Sequence, residues 1–211
     1  VEARLNVLIA ELQHRTRNLL AIVQAIAWQT MEHGPAMQAF AMRLASIGRV
    51  QSLIGRSTTD RIDLAEIVRL ELAAHGAGAG QRVSVHGPPV WLVLDHVQTF
   101  ALALHELATN ATRHGALAVE RGTLDIGWTV TGGAAGEDLL RLDWQEHGVA
   151  LSQPPNPAGY GRMLIERSLT FSLHARTQFR FGPGGVQCRM KIPLRPGRPA
   201  QQPPCPETAF P

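Results

Sequence analysis

Apolar residues recur with helical spacing over residues 3–31. Leu5, Leu12, Leu19 and Ile26 fall every seven positions, and Leu8, Arg15, Ile22 and Gln29 fill the other seam of a heptad. This predicts one long helix, broken by His33-Gly34-Pro35. A second helix is expected from about 36 to 54, with Phe40, Leu44, Ile47, Val50 and Ile54 on one face. Two long helices joined by a tight break form an antiparallel hairpin, residues 1–57. Neither buries its stripe alone, so the hairpin needs either a partner hairpin or a docked domain.

Beyond a linker at 55–61 the pattern alternates between short strands and helices. A helix is expected over 63–75, capped by Asp60 or Asp63. Strands are expected at 82–87 and 88–94, then a long helix over 95–114. Alternating segments at 123–130 and 139–146 predict two more strands, followed by a Pro/Gly loop at 147–161 and a helix over 161–173. Strands at 176–182 and 186–193 flank Gly-Pro-Gly-Gly, a hairpin turn. The predicted fold class is α+β: residues 60–194 place helices on one face of a mainly antiparallel sheet. The tail, 195–211, holds six prolines and is expected to be disordered.

Composition narrows the function classes. The formal charge is only +3 and no Lys/Arg run stands out, so no nucleic-acid partner is expected. Cys188 and Cys205 lie far from any metal-ligand spacing and suit a reduced, cytoplasmic setting. There is no apolar run of membrane-spanning length, and no signal peptide is expected at the start of this stretch. The chain opens at Val1 inside a helical pattern, so a piece of a longer protein is expected.

Four stretches carry candidate chemistry. Leu12–Asn18 reads LQHRTRN; His14 falls one residue before a seam position, on the helix flank, where its imidazole reaches solvent. Arg15 occupies an apolar seam position, and with Arg17 it could hold an anion near the ring. In the second stretch Val97, Phe100, Ala101, Leu104, Leu107, Ala108 and Ala111 share one face. Glu106, Asn110 and Arg113 line up opposite, flanked by His105 and His114. An acid, an amide and a guanidinium in a row suit a phosphate-bound Mg²⁺, with the Asn110 carbonyl oxygen as a hard ligand. A plain solvated face is the competing reading. In the third stretch Leu140, Leu142, Trp144 and Glu146 alternate onto one side, which turns Glu146 inward at a strand end unless the strand stops or bulges first. In the fourth, Gly159 and Gly161 precede a helix whose amides could hold phosphate, under a loop that could act as a lid.

Together these stretches resemble the HWE family of sensor histidine kinases, over about residues 8–194. LQHRTRNLLAIVQAIAWQT resembles its phosphoacceptor helix; HELATNATRHGAL resembles its N-box, with the distinguishing histidine at His105. Trp144-Gln145-Glu146 resembles its W-x-E element and Gly159-Tyr160-Gly161 its glycine box. The resemblance implies a GHKL (Bergerat-type) ATP-binding α/β sandwich after a hairpin used for dimerisation and phosphotransfer. It implies that His14 is autophosphorylated from Mg-ATP and that the phosphoryl group passes to an aspartate of a response regulator receiver domain. Asn110 would ligate Mg²⁺, Glu106 would act as a base or orient a metal-bound water, and Arg113 and His114 would touch phosphates. His105, Gly148, Gly159 and Gly161 would belong to the nucleotide site, with Leu164 an apolar neighbour. Glu146 would accept from the adenine amino group, and Asn18 would position water for the reverse, phosphatase, reaction. An upstream sensor segment is expected. A homodimer through the hairpin and a monomer with the hairpin packed on its own ATP-binding domain both stay open.

The departures are specific. Arg15 stands where many histidine kinases carry an acid after the phosphoacceptor, which leaves the acceptor of the His14 proton open. The W-x-E element runs into HGVA with only Gly148 kept from the family's Gly-Gly-Pro stretch, and Tyr160 replaces the commoner phenylalanine. Two alternatives compete: a histidine phosphotransfer or phosphatase protein with a degenerate ATP-binding domain, and a GHKL ATPase or serine kinase. Intact Glu106 and Asn110 argue against the first, and the HRTRN helix against the second.

Overall fold

The computed structural model describes residues 2–194 apart from 58, 78–79, 81, 133–137, 150–159 and 183. Within the helices, the side chains of residues 2–10, 12–13, 160, 162 and 164 are not described. The predicted tail, the body of the Pro/Gly loop and Gly159 therefore lie outside the described residues.

Helices α1 (Glu2–Thr30) and α2 (Pro35–Arg56) form the hairpin. Pro35 starts α2, where its missing N–H costs nothing because the first amides of a helix have no partner. The heptad stripe does not face α2. Leu19 is 62% exposed, and Ile22 and Ile26 are 54% exposed. The line that meets α2 runs through Thr16, Leu20 and the buried Ala27 instead, and Leu20 Cδ1 lies 4.0 Å from the Cβ position of Gly48. Ala27 on α1 and Gly48 on α2 let the helices approach along this line, with Leu20 laid over Gly48.

The rest of the chain covers α2. Met37, Ser46, Val50 and Leu53 are buried, and α2 packs on α3 (Leu64–Ala74) and α4 (Leu94–Arg113). The docked domain thus covers α2, while the described part of the α1 stripe stays exposed. Asp63 caps α3, its Oδ1 accepting the Ala65 N–H at 3.2 Å. Just before it, β1 (Arg61–Asp63) pairs antiparallel with β3 (Trp91–Val93). The end of the expected linker is thus a strand, too short to show any alternation.

The main sheet has the order β2-β4-β5-β7-β6, built from β2 (Val83–His86), β4 (Thr123–Gly132), β5 (Asp138–His147), β6 (Arg176–Gly182) and β7 (Gly185–Leu194). β2 runs parallel to β4, the connection between them carrying α4, and every other pair is antiparallel. Ile126, Trp144 and Cys188 stand in register and face inward with Leu142, Met190 and Ile192. Leu104 and Leu107 of α4, and Ile165 and Leu169 of α5 (Tyr160–Leu173), complete this core. The fold is α+β, with its helices on one face of a mainly antiparallel sheet. On the other face, pairing sets Arg141, Lys191 and Arg176 side by side across three strands, a basic row that no run in the sequence announces. Among the described residues, no helix is long and apolar enough to cross a membrane.

Candidate active site

Helix α4 is wedged between α2 and the sheet, so nearly its whole circumference is buried. This changes the meaning of its polar row. Glu106 is only 5% exposed, not part of a solvated face. Arg43 of α2 grips it as a fork, Nε donating to Oε1 at 2.6 Å and Nη2 to Oε2 at 2.9 Å. One turn on, Asn110 is exposed. Arg113 and His114 are exposed too; Arg113 Nη2 stands 3.7 Å from Met42 Sδ, and the His114 N–H closes the helix on the Asn110 carbonyl at 2.8 Å.

Gly161 joins this group from across the fold. A Cβ there would stand 2.6 Å from Glu106 Oε2 and 3.9 Å from Asn110 Nδ2. Only glycine lets the first turn of α5 come so close. Two stretches that sequence treated separately therefore meet at Glu106, Asn110 and Gly161. Leu164 follows in the same helix, with its side chain outside the described residues.

His105 sits elsewhere. The expectation of a histidine flanking the Glu106 face gives way to one 3% exposed, turned into the contact between α3 and α4. Its Nδ1 lies 3.4 Å from Glu71 Oε2 and 3.1 Å from His75 Nε2. Glu71 also accepts from Ser46 Oγ at 3.0 Å and Arg49 Nη2 at 2.8 Å, both on α2. Burial works to raise the Glu71 pKa, but the bonds from His105, Arg49 and Ser46 outweigh it and hold the carboxyl below its ordinary 4.5. Burial first, and the neighbouring His105 second, push His75 down to about 4. Glu71, His75 and His105 bring one ligand atom each within 4.8 Å of one another, a spacing a transition metal can span. Arg49 already answers the carboxylate at the same oxygen, so a divalent ion would bury unbalanced positive charge. The donors form a closed hydrogen-bonded network.

Glu146 points inward as its alternation predicts and is 2% exposed. Its Oε2 accepts the Ala116 N–H at 2.9 Å, and its Oε1 lies 3.3 Å from the Trp144 indole nitrogen. Burial raises its pKa, opposed in part by those two donors. Gly115 has to be glycine here, because a Cβ would fall 2.1 Å from Glu146 Oε2. In this arrangement each oxygen of Glu146 has a donor of the chain itself, and the carboxylate braces the turn that follows Arg113 and His114. Gly148 has φ +79°, a left-handed conformation suited to glycine, packed beside Arg121.

His14 is exposed on α1. Asn18 lies one turn on, with its amide nitrogen 3.3 Å from His14 Nδ1. Arg15 does not turn toward the ring; its Nε pairs with Glu11 at 2.8 Å. An exposed amide oxygen at Asn110, beside a close-approaching glycine backbone, suits a hard cation carried by phosphates. Glu106, held by Arg43, is not available to ligate it in this arrangement. Sequence reasoning missed Arg43, Ser46 and Arg49. Their signal was available: polar positions three apart, on the same helix as Met37, Val50 and Leu53.

A family model described as HWE histidine kinase matches residues 11–89. The chain is 33% identical over 197 residues to a blue-light-activated histidine kinase of Rhizobium johnstonii, covering 92% of this chain and 55% of that protein. It is 31% identical over 189 residues to one of Brucella anthropi, covering 87% of this chain and 38% of that protein. The chain thus spans about half, or less, of the length of these relatives. The histidine kinase domain of an Erythrobacter litoralis blue-light-activated histidine kinase superposes with a TM-score of 0.58 at 16% identity, covering 91% of this chain and 93% of that one. Its fold is shared across hairpin and sheet alike. Family profile, relatives and fold agree with the motifs that meet around Glu106, and the chain belongs to the HWE histidine kinase family.

Proposed function

We propose that this chain is the catalytic core of a two-component sensor histidine kinase, which autophosphorylates His14 from Mg-ATP and passes the phosphoryl group to a response-regulator aspartate. The observation that carries the reading is the meeting of Glu106, Asn110 and Gly161 at one point, on a domain packed against a hairpin that displays His14.

Residues 1–57 then serve as the phosphotransfer hairpin and 60–194 as the ATP-binding domain. Asn110 offers its amide oxygen to the Mg²⁺ that accompanies the triphosphate, and Arg113 and His114 lie where phosphates are neutralised. The close approach of Gly161 turns the first amides of α5 toward the same place. Bound Mg²⁺ supplies charge neutralisation to the phosphates; the chain supplies position, which is most of what a loose phosphoryl transfer needs. A neutral His14 nitrogen forms a bond to the γ-phosphorus as the bond from phosphorus to the β–γ bridging oxygen breaks, ADP leaves and the ring gives up its proton. The Asn18 amide nitrogen stands 3.3 Å from Nδ1, and the hydrogen bond made there sets which ring nitrogen carries the hydrogen and which keeps the attacking lone pair. Glu106 is the carboxylate suited to take the proton, since Arg15 is engaged by Glu11 and no acid follows His14.

The test is incubation with γ-labelled ATP and Mg²⁺, comparing the chain with His14→Ala. The expected result is acid-labile label in the first and none in the second, with nucleotide binding equal in both. Label that persists in His14→Ala, or that survives acid, overturns the reading.

A further inference from the structure

Arginines on the buried face of a docking helix call for an explanation, because an apolar face would dock without the cost of desolvating charge. On α2, Arg49 and Ser46 are answered by Glu71, which lies outside the candidate active site. Arg43 is answered by Glu106, inside it. That contact uses both carboxylate oxygens, and Arg43 and Glu106 are 23% and 6% exposed at their side chains. Among the described residues Arg43 is the one side-chain partner that Glu106 has.

The hairpin register gives the contact its meaning. Leu20 of α1 stands level with Gly48 of α2. His14 lies six residues from Leu20 in the direction away from the connecting turn, and Arg43 lies five residues from Gly48 toward it. At 1.5 Å per residue the two levels are about 16 Å apart along the hairpin. A reacting pair must approach to about 3–3.5 Å. Glu106 is therefore pinned at the wrong level to serve His14, with its charge neutralised and an arginine fork across both oxygens.

We propose that the Arg43–Glu106 pair is an autoinhibitory clamp, by which the hairpin holds its own ATP-binding domain away from His14 until the pair is released. The inference rests on the kinase reading for the role of Glu106, and on geometry alone for the clamp. Release lets the hairpin pivot about its Arg49–Glu71 anchor, which changes the distance between Glu106 and His14, and returns to Glu106 the lone pairs that a proton acceptor needs.

Two readouts test this, one independent of catalysis. Spin labels at the exposed positions Gln24 and Glu120, in a Cys205→Ser background, report the distance between hairpin and domain. Arg43→Ala, and Arg43→Gln to keep the stem packed, are compared with the unaltered chain after circular dichroism has established that each is folded. The expected result is a shifted or broadened distance distribution. With it, initial phosphorylation of His14 at saturating Mg-ATP rises by at least about fivefold, the lower end of an allosteric coupling, while nucleotide affinity stays unchanged. A shifted distribution without label in any protein supports the clamp and sinks the kinase reading instead. An unchanged distribution overturns the clamp whatever the label does. So does a rate that falls in both variants and is restored by Arg43→Lys, since Arg43 would then orient Glu106 for the reaction.

Discussion

Replacing Glu71 by alanine separates the hairpin from the domain at a point remote from the proposed chemistry. Glu71 is 1% exposed and holds three groups: Ser46 Oγ at 3.0 Å, Arg49 Nη2 at 2.8 Å and His105 Nδ1 at 3.4 Å. Removing one partner of a buried ion pair costs about 3–5 kcal/mol, because the other charge is left desolvated. Arg49 is 28% exposed and reaches water in part, which moves the expectation to the low end, about 3 kcal/mol. Its Nε is buried without a partner already, so the guanidinium has little to fall back on. Against a domain stability of about 5–15 kcal/mol the loss is readily measured by urea titration. Arg49→Met should cost at least as much, since it leaves the carboxylate unanswered, and the double variant should recover about 2 kcal/mol of the summed loss. The acid limb gives a second check. Glu71 has its pKa lowered on folding, so its contribution is present above the ordinary 4.5 and is lost as pH falls below it. The gap between the chain and Glu71→Ala should close there. A loss below about 1 kcal/mol, or losses that simply add, would refute the claim that Glu71 joins α2 to the domain.

Two further outcomes follow from the same region and its neighbour. His75, faced by His105, Glu71, Arg49 and Arg113, is held neutral down to about 4, whereas an ordinary histidine titrates at 6.5. The unfolded chain therefore binds more protons in that window, and stability should fall by roughly 1–3 kcal/mol as pH drops from 6.5 to 4, a loss that His75→Leu should abolish in thermal melts taken across that range. Gly161→Ala pushes a methyl to 2.6 Å from a carboxylate oxygen that Arg43 already fixes. It should weaken Mg-ATP affinity by about tenfold or more, as overpacking of about 1–3 kcal/mol implies, in a fluorescent-nucleotide titration; unchanged affinity would remove Gly161 from the site.

What the sequence revealed and what it hid divide along one line. Features written within a single element were legible. The inward turn of Glu146 followed from a period of two, and the cap at Asp63 from one side chain preceding an apolar run. Features that depend on what lies across from an element were not. The row Glu106, Asn110, Arg113 looks solvated because α4 taken alone has one apolar face; α2 then covers part of the other. The partner that buries Glu106 is 63 residues away in the chain. The heptad of α1 misled for a related reason: its large side chains predicted an inward seam, yet the line that meets α2 runs through Leu20 and Ala27, opposite Gly48. The basic row Arg141, Lys191, Arg176 exists only once three strands are in register.

The two arginines of α2 differ in a way that bears on how such a hairpin could be held and then let go. Arg49 ends on a carboxylate that is tied to Ser46 and His105 as well, so withdrawing it strands several buried groups at once. Val50 and Leu53, beside it, belong to the main apolar core. That end of α2 is firmly anchored. Arg43 ends on a carboxylate whose other polar neighbours are an exposed asparagine and a glycine backbone, so withdrawing it leaves Glu106 facing groups that water, Mg²⁺ or phosphate can replace. A helix anchored at one end and clamped by a replaceable pair at the other can pivot without the domain coming apart.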